Sequence, residues 1–318
     1  MLLAAGLGLG SGGCIRQAML DGELQAARDA SGALDTIDDY ELARIAATGS
    51  LAQLEGMHLL APNNPNGLFL LTKAWAGIGY AFIEDDMEVA EDRGDEPMSD
   101  YHRKRACRVY DHAVQYGLQL LAQKAPGFGQ AKKSAKTFDK WLVEHFTTGA
   151  DAESLFWTSY PWLERIDVMK GDEQEGPPLI AELYVGVAML ERAVALDPTV
   201  EQYAGMLALG AYHARTGFSE MEQAKAMLDT VVAKTDGKPL IVPLTYATKY
   251  ACVRGDRALY KKLLDQVLTT QDPDPRHGLQ NVIARRRAAR WLGRKRARNE
   301  CGFDPAEITP HESAAAGE

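Results

Sequence analysis

Side chains able to do chemistry are few in this sequence, and they are scattered. The seven histidines include no HExxH pair, the spacing that places two imidazoles and a carboxylate on one helix face for zinc. No Gly-x-Ser-x-Gly turn offers a nucleophile. The glycines between Gly6 and Gly13 imitate a phosphate loop, but no strand precedes them and no GK[ST] follows. The four cysteines, Cys14, Cys107, Cys252 and Cys301, form no CxxC pair and lie at no zinc-like spacing from histidine. Cys107 and Cys252 fall in helical patterns and read as small core residues, and a disulfide framework is not expected at this length and spacing. The expectation is no catalytic residue, no metal, no cofactor and no enzymatic activity.

Charge runs and aromatic residues are the remaining candidates. The acidic run from Glu84-Asp85-Asp86 through Glu96 lacks the EF-hand alternation and its central glycine, and it reads as a solvated inter-helix loop. A helix expected from His277 to Arg298 carries Arg285 to Arg287, Arg290, Arg294, Lys295, Arg296 and Arg298. Contact with anionic lipid or an acidic partner is one reading; a capping helix with a polar outer face is the simpler one, with Val282, Ile283, Ala289, Trp291 and Leu292 as its inner stripe. Asn281 on that helix is expected to hydrogen-bond in helix packing.

Trp75 and Tyr80 share one helix, and Trp157, Tyr160 and Trp162 share another. Aromatic residues fill cores, line apolar ligand sites and anchor interfaces. Core filling suits Tyr110 and Trp75. For Trp157, Tyr160 and Trp162 both readings stand, because three large rings so close together do not easily face one core. All five, Trp75, Tyr80, Trp157, Tyr160 and Trp162, are candidates for binding a ligand or partner.

These residues must be positioned by helices. Across 318 residues of ordinary apolar and charged content, apolar side chains recur at three- and four-residue steps, with no sustained strand-like alternation. The formal charge of -9 argues against a general nucleic-acid binder. No later stretch supplies about 20 uninterrupted apolar residues for a membrane span. At the start, an apolar run with small residues leads directly to Cys14, the shape of a bacterial lipoprotein signal. Ser11 stands where a larger aliphatic residue is usual, and no Lys or Arg precedes Cys14. A start placed too far downstream accounts for the second departure.

Self-similarity fixes the helix type. A tetratricopeptide repeat pairs two antiparallel helices over about 34 residues, the second bearing small and large residues at fixed spacing. Gly186, Leu190, Ala193 and Pro198 fit this in GVAMLERAVALDP. Ala106, Tyr110 and Ala113 repeat the spacing, as do Ala224, Leu228 and Val231. A further unit turns at Gly255-Asp256 and uses Leu264 and Val267, and a half-unit uses Ser50, Leu54, Met57 and Pro62. Small residues let paired helices approach and large ones plug the gap. The expected fold is all-α, antiparallel helix pairs of tetratricopeptide-repeat type stacked into a compact solenoid.

Several of these segments together resemble the TRAP-transporter-associated T component, a family of tetratricopeptide-type lipoproteins. The matching stretches are LLAPNNPNGLFLLTKAWAGIGYAF, RACRVYDHAVQYGLQLL, LFWTSYPWLERI, AMLERAVALDP, ALYKKLLDQVL and LQNVIARRRAARWL. Departures are the lipobox at Ser11, Pro161 within the aromatic helix, and a Lys-rich insertion from Gln130 to Lys140. The resemblance implies a periplasmic protein anchored to a bacterial membrane by lipid at Cys14, without catalytic activity. It implies a solute-binding P component as partner, a small, often hydrophobic, organic ligand, and a homotrimer as one assembly open to the family. The corresponding organisation is a signal segment at 1–13, a tether and first helix at 14–40, a helical-repeat domain at 41–298 and a flexible tail at 299–318. A generic tetratricopeptide scaffold of the envelope is the competing expectation.

Overall fold

The structure, a computed structural model, describes residues 11–215, 220–271 and 274–304, and of residues 11–14 it describes the backbone alone. Residues 1–10 of the signal segment, the Cys14 side chain and residues 305–318 of the tail lie outside the described residues. Those described form an all-helical chain without strands. Helix α1 spans Ser11–Asp29, α2 Tyr40–Leu60, α3 Pro65–Ile78, α4 Glu84–Arg93 and α5 Glu96–Lys124. Two short helices, α6 (Phe128–Ala131) and α7 (Ala135–His145), carry the Lys-rich stretch. Then come α8 (Ala152–Met169), α9 (Gly176–Ala181), α10 (Leu183–Leu196), α11 (Val200–His213) and α12 (Met221–Thr235). The chain finishes with α13 (Ile241–Thr245), α14 (Cys252–Arg254), α15 (Arg257–Thr269), α16 (Gly278–Trp291) and α17 (Arg294–Cys301).

Local chemistry sets these boundaries. Asp39, Asn64, Asp95 and Asp256 each accept a backbone N–H from the first turn of the helix they precede, satisfying donors that have no intrahelical partner. Gly94 and Gly255 end α4 and α14 in the left-handed conformation, and the turn at Gly255-Asp256 falls where the repeat spacing puts it. Pro161 stays inside α8, which runs through it without a break.

Neighbouring helices pack in chain order: α2 on α3, α3 on α5, α5 on α8, α8 on α10, α10 on α11 and α11 on α12. The small-large-small positions are the seams. Ala106, Tyr110, Ala113, Leu190, Ala193, Ala224, Leu228, Val231, Leu264 and Val267 are all fully buried. Glycine matters where helices touch: a Cβ on Gly186 would lie 2.8 Å from Leu163 and 2.9 Å from Trp162.

The row of helices then closes. α16 packs against α2 and against the 3-10 turn Ala33–Thr36, so the last helices meet the first. Charge completes the closure, and both sequence expectations about charge are corrected here. The acidic run is not a loop: Glu84 to Arg93 is α4, with Glu84, Asp85 and Glu88 buried. Nor is the arginine helix a polar cap, since Arg287 and Arg296 are buried. The two runs pair with each other. Arg290 Nη2 lies 2.6 Å from both Asp85 and Glu88, and Arg286 lies 2.9 Å from Asp85. Arg296 reaches Asp92 at 2.7 Å and Glu91 at 3.0 Å. Each run looked solvated because its partner lies about two hundred residues away. The helix expected from His277 to Arg298 also breaks, at Gly293, and its inner face holds Leu279, Ile283, Ala284 and Ala288 while Ala289 is exposed.

Cys252 is more than a core residue: it forms a disulfide with Cys301, tying α14 to the end of α17. Phe303 packs on Tyr260. Cys107 is a free, buried cysteine. Buried Asn281 accepts from the Leu240 amide at 2.9 Å, the helix-packing bond expected of it.

Candidate functional site: a central cavity

Closure of the helix row leaves a cavity of about 1180 Å³, walled by α2, α3, α4, α8, α11, α13, α16 and α17. That exceeds the roughly 300–1,000 Å³ usual for small-molecule sites. Leu54, Met57, Ile78, Phe156, Leu207 and Leu244 give it apolar walls. The half-unit on α2 therefore faces the cavity with Leu54 and Met57 and does not form a fully buried seam.

Two π turns interrupt the cavity helices, Gly79–Ile83 between α3 and α4 and Tyr246–Ala251 between α13 and α14. Such turns re-aim side chains within a helix and are frequent at functional sites. The first brings Tyr80 to the wall. It depends on Gly79, where a Cβ would lie 2.7 Å from the Tyr110 ring. Tyr110 is core, as expected, and its hydroxyl donates to Glu84.

The five aromatic candidates divide by position. Tyr80, Trp157 and Tyr160 line the cavity. Phe156, Trp157 and Tyr160 touch one another on α8, and Tyr80 meets Tyr160 edge-on with centroids 6.4 Å apart. Trp162 is in the core, its Nε1 donating to the Glu182 carbonyl at 3.2 Å. Trp75 is half-buried away from the cavity lining, stacked on His112 at 4.5 Å and donating to Glu55 at 2.7 Å. Three rings thus avoid facing one core by splitting between core and cavity.

A further feature of the wall had no signal in the sequence. Glu201, Gln202 and Tyr203, none of them glycine, take φ values of 48°, 55° and 70° at the start of α11. The left-handed conformation costs non-glycine residues roughly 1–2 kcal/mol each, and clustered strain of this kind points to function. It aims the Glu201 carboxylate at Trp157, whose Nε1 donates to it at 2.7 Å, with Lys73 3.5 Å away.

Electrostatics differ from place to place around the cavity. Burial pushes the Glu84 carboxyl up to about 8, and the neighbouring Arg287 opposes that only in part. Burial and the like charge of Asp167 raise Glu164. Burial would raise Asp167 too, but Lys249, Arg215 and Lys170, at 3.1, 3.0 and 2.9 Å, hold it well below the usual carboxylate range. Among the described residues no group of three or more His, Cys, Asp or Glu could hold a metal ion, and no helix is long and apolar enough to cross a membrane.

Residues 36–298 match the family model of the TRAP transporter T-component. The chain belongs to that family. No curated protein matches it. A T-component has an accessory role in TRAP transport and associates with a TRAP transporter, and the matched segment spans the helices from α2 through α16. Most of the cavity wall falls within it.

Proposed function

We propose that this T-component is a periplasmic lipoprotein that holds a small hydrophobic organic molecule in its central cavity and works with the solute-binding P component. The observation that carries this is the cavity, about 1180 Å³ with an apolar and aromatic wall, a form suited to burying most of a ligand's surface. Its work would be differential binding and hand-over, with no bond made or broken. The helix pairs are taken as tetratricopeptide-type units in a compact solenoid closed by the α4 and α16–α17 charges. The buried small-large-small seams support that assignment. Tyr80, Trp157 and Tyr160 face the ligand, Trp75 is offered to a partner, and Trp162 supports α8 from the core. Lipid on Cys14 anchors the chain to the bacterial membrane, and the protein assembles alone or as a homotrimer. The Cys252–Cys301 disulfide supports an exported location, because such bonds persist in oxidising compartments.

The test is co-purification of the lipid-free protein with the solute-binding protein encoded beside it, with mass measured by light scattering. A stable complex, weakened by Trp75→Ala, is expected. No complex with an intact partner, with organic ligands present, would move the assignment to a generic tetratricopeptide scaffold of the envelope.

A further inference from the structure

Tyr160 and Glu164 lie one turn apart on α8, and Tyr80 faces them from the first π turn. All three line the cavity. Nearby phenols are paired: Tyr110 donates to Glu84, and Tyr40 donates to Asp85 at 3.0 Å. The Tyr80 and Tyr160 hydroxyls and the Glu164 carboxyl differ. Among the described residues none of them has a protein hydrogen bond or ion pair, and none is sealed inside the core. Their oxygens therefore open on the cavity. Polar groups on an apolar wall favour a ligand whose own polar group pairs with them, since a ligand lacking it leaves them unpaired.

The surroundings select the kind of head group. Arg287 lies over the Tyr80 ring, 4.0 Å from its centroid, so that face already holds a cation and disfavours a second. Glu84, Glu164 and Asp167 share this stretch of wall with Arg287, Lys249, Arg215 and Lys170. Those cations are already taken, Arg287 by Glu84 and the other three by Asp167. Among the described residues an anion therefore finds no free cation there, and an ionised Glu164 would repel it. A hydroxyl meets neither objection. It donates to a carboxylate and accepts from a phenol, and it suits Glu164 in either protonation state.

We infer that the cavity has a polar end built from Tyr80, Tyr160 and Glu164, and that its ligand is an uncharged amphiphile bearing one or two hydroxyl groups on an apolar body. This rests on the reading of the cavity as a ligand site. The experiment is calorimetric titration of the folded protein with three probes sharing one tail, each below its micelle concentration. They are 1-monolauroylglycerol, laurate and dodecyltrimethylammonium. The glyceride should bind about tenfold tighter than either ion. Tyr80→Phe and Tyr160→Phe, which keep the rings and the packing, should each cost the glyceride roughly two- to tenfold and leave laurate unchanged. Equal binding of all three probes, insensitive to both variants, would overturn the polar end and leave the cavity reading intact. Tightest binding of an ion would overturn the ligand class. Binding of none would overturn the cavity reading and the polar end together.

Discussion

Glu84 and Arg287 meet inside the protein, 3.2 Å apart, each nearly inaccessible to solvent. Removing one partner of a buried pair leaves the other's charge uncompensated; Arg287 also donates to the Tyr80 carbonyl at 2.6 Å. Burial holds Glu84 up to about 8, above its unfolded value, so the folded state binds its proton more tightly than the unfolded state does. The stability this contributes is complete below the ordinary glutamate range and is lost as pH rises to about 8. Glu84→Gln removes the titration and keeps the shape. Urea midpoints taken between about pH 5 and 8 should show wild type losing stability relative to the variant as pH rises. A gap that stays constant with pH would mean the carboxyl is not shifted.

Among the helices, the left-handed turn at Glu201 to Tyr203 gives the clearest contrast. Glycine within a right-handed helix costs about 0.5–1 kcal/mol relative to alanine, whereas glycine at a left-handed position relieves strain. Gln202 has φ 55°, so Gln202→Gly should raise stability by up to about 1 kcal/mol in chemical denaturation. A loss of that size would indicate an ordinary right-handed turn. What the sequence made legible at this scale was local. Spacing along one helix placed Tyr110, Leu190 and Leu228 in seams, because small-large-small packing is written within a dozen residues. The left-handed turn was invisible because no glycine marks it. Tyr80 drew attention as an aromatic residue, but its aim into the cavity depends on a π turn that periodicity does not reveal.

At the scale of the molecule, the decisive feature is closure, and closure joins residues far apart in the chain. The acidic α4 and the basic α16–α17 each looked like a solvated face, since a charge run is buried only when its complement is brought to it. The Cys252–Cys301 bond, 49 residues apart, was likewise hidden by the absence of any cysteine motif. Together these contacts turn a row of helices into a wall around a cavity, and the proposal of ligand binding rests on that wall. The most direct measurement is titration with the apolar fluorophore N-phenyl-1-naphthylamine, read by its own emission and by quenching of tryptophan emission, to which Trp157 and Trp291 contribute from the cavity wall. Gly77 lines the cavity with open space where its side chain would be, so Gly77→Trp should obstruct part of the site and keep the fold. Saturable binding of one probe per chain, weakened about tenfold or more by Gly77→Trp, is the expected result. No saturable binding, or binding that Gly77→Trp leaves unchanged, would contradict a ligand site at the centre of this molecule.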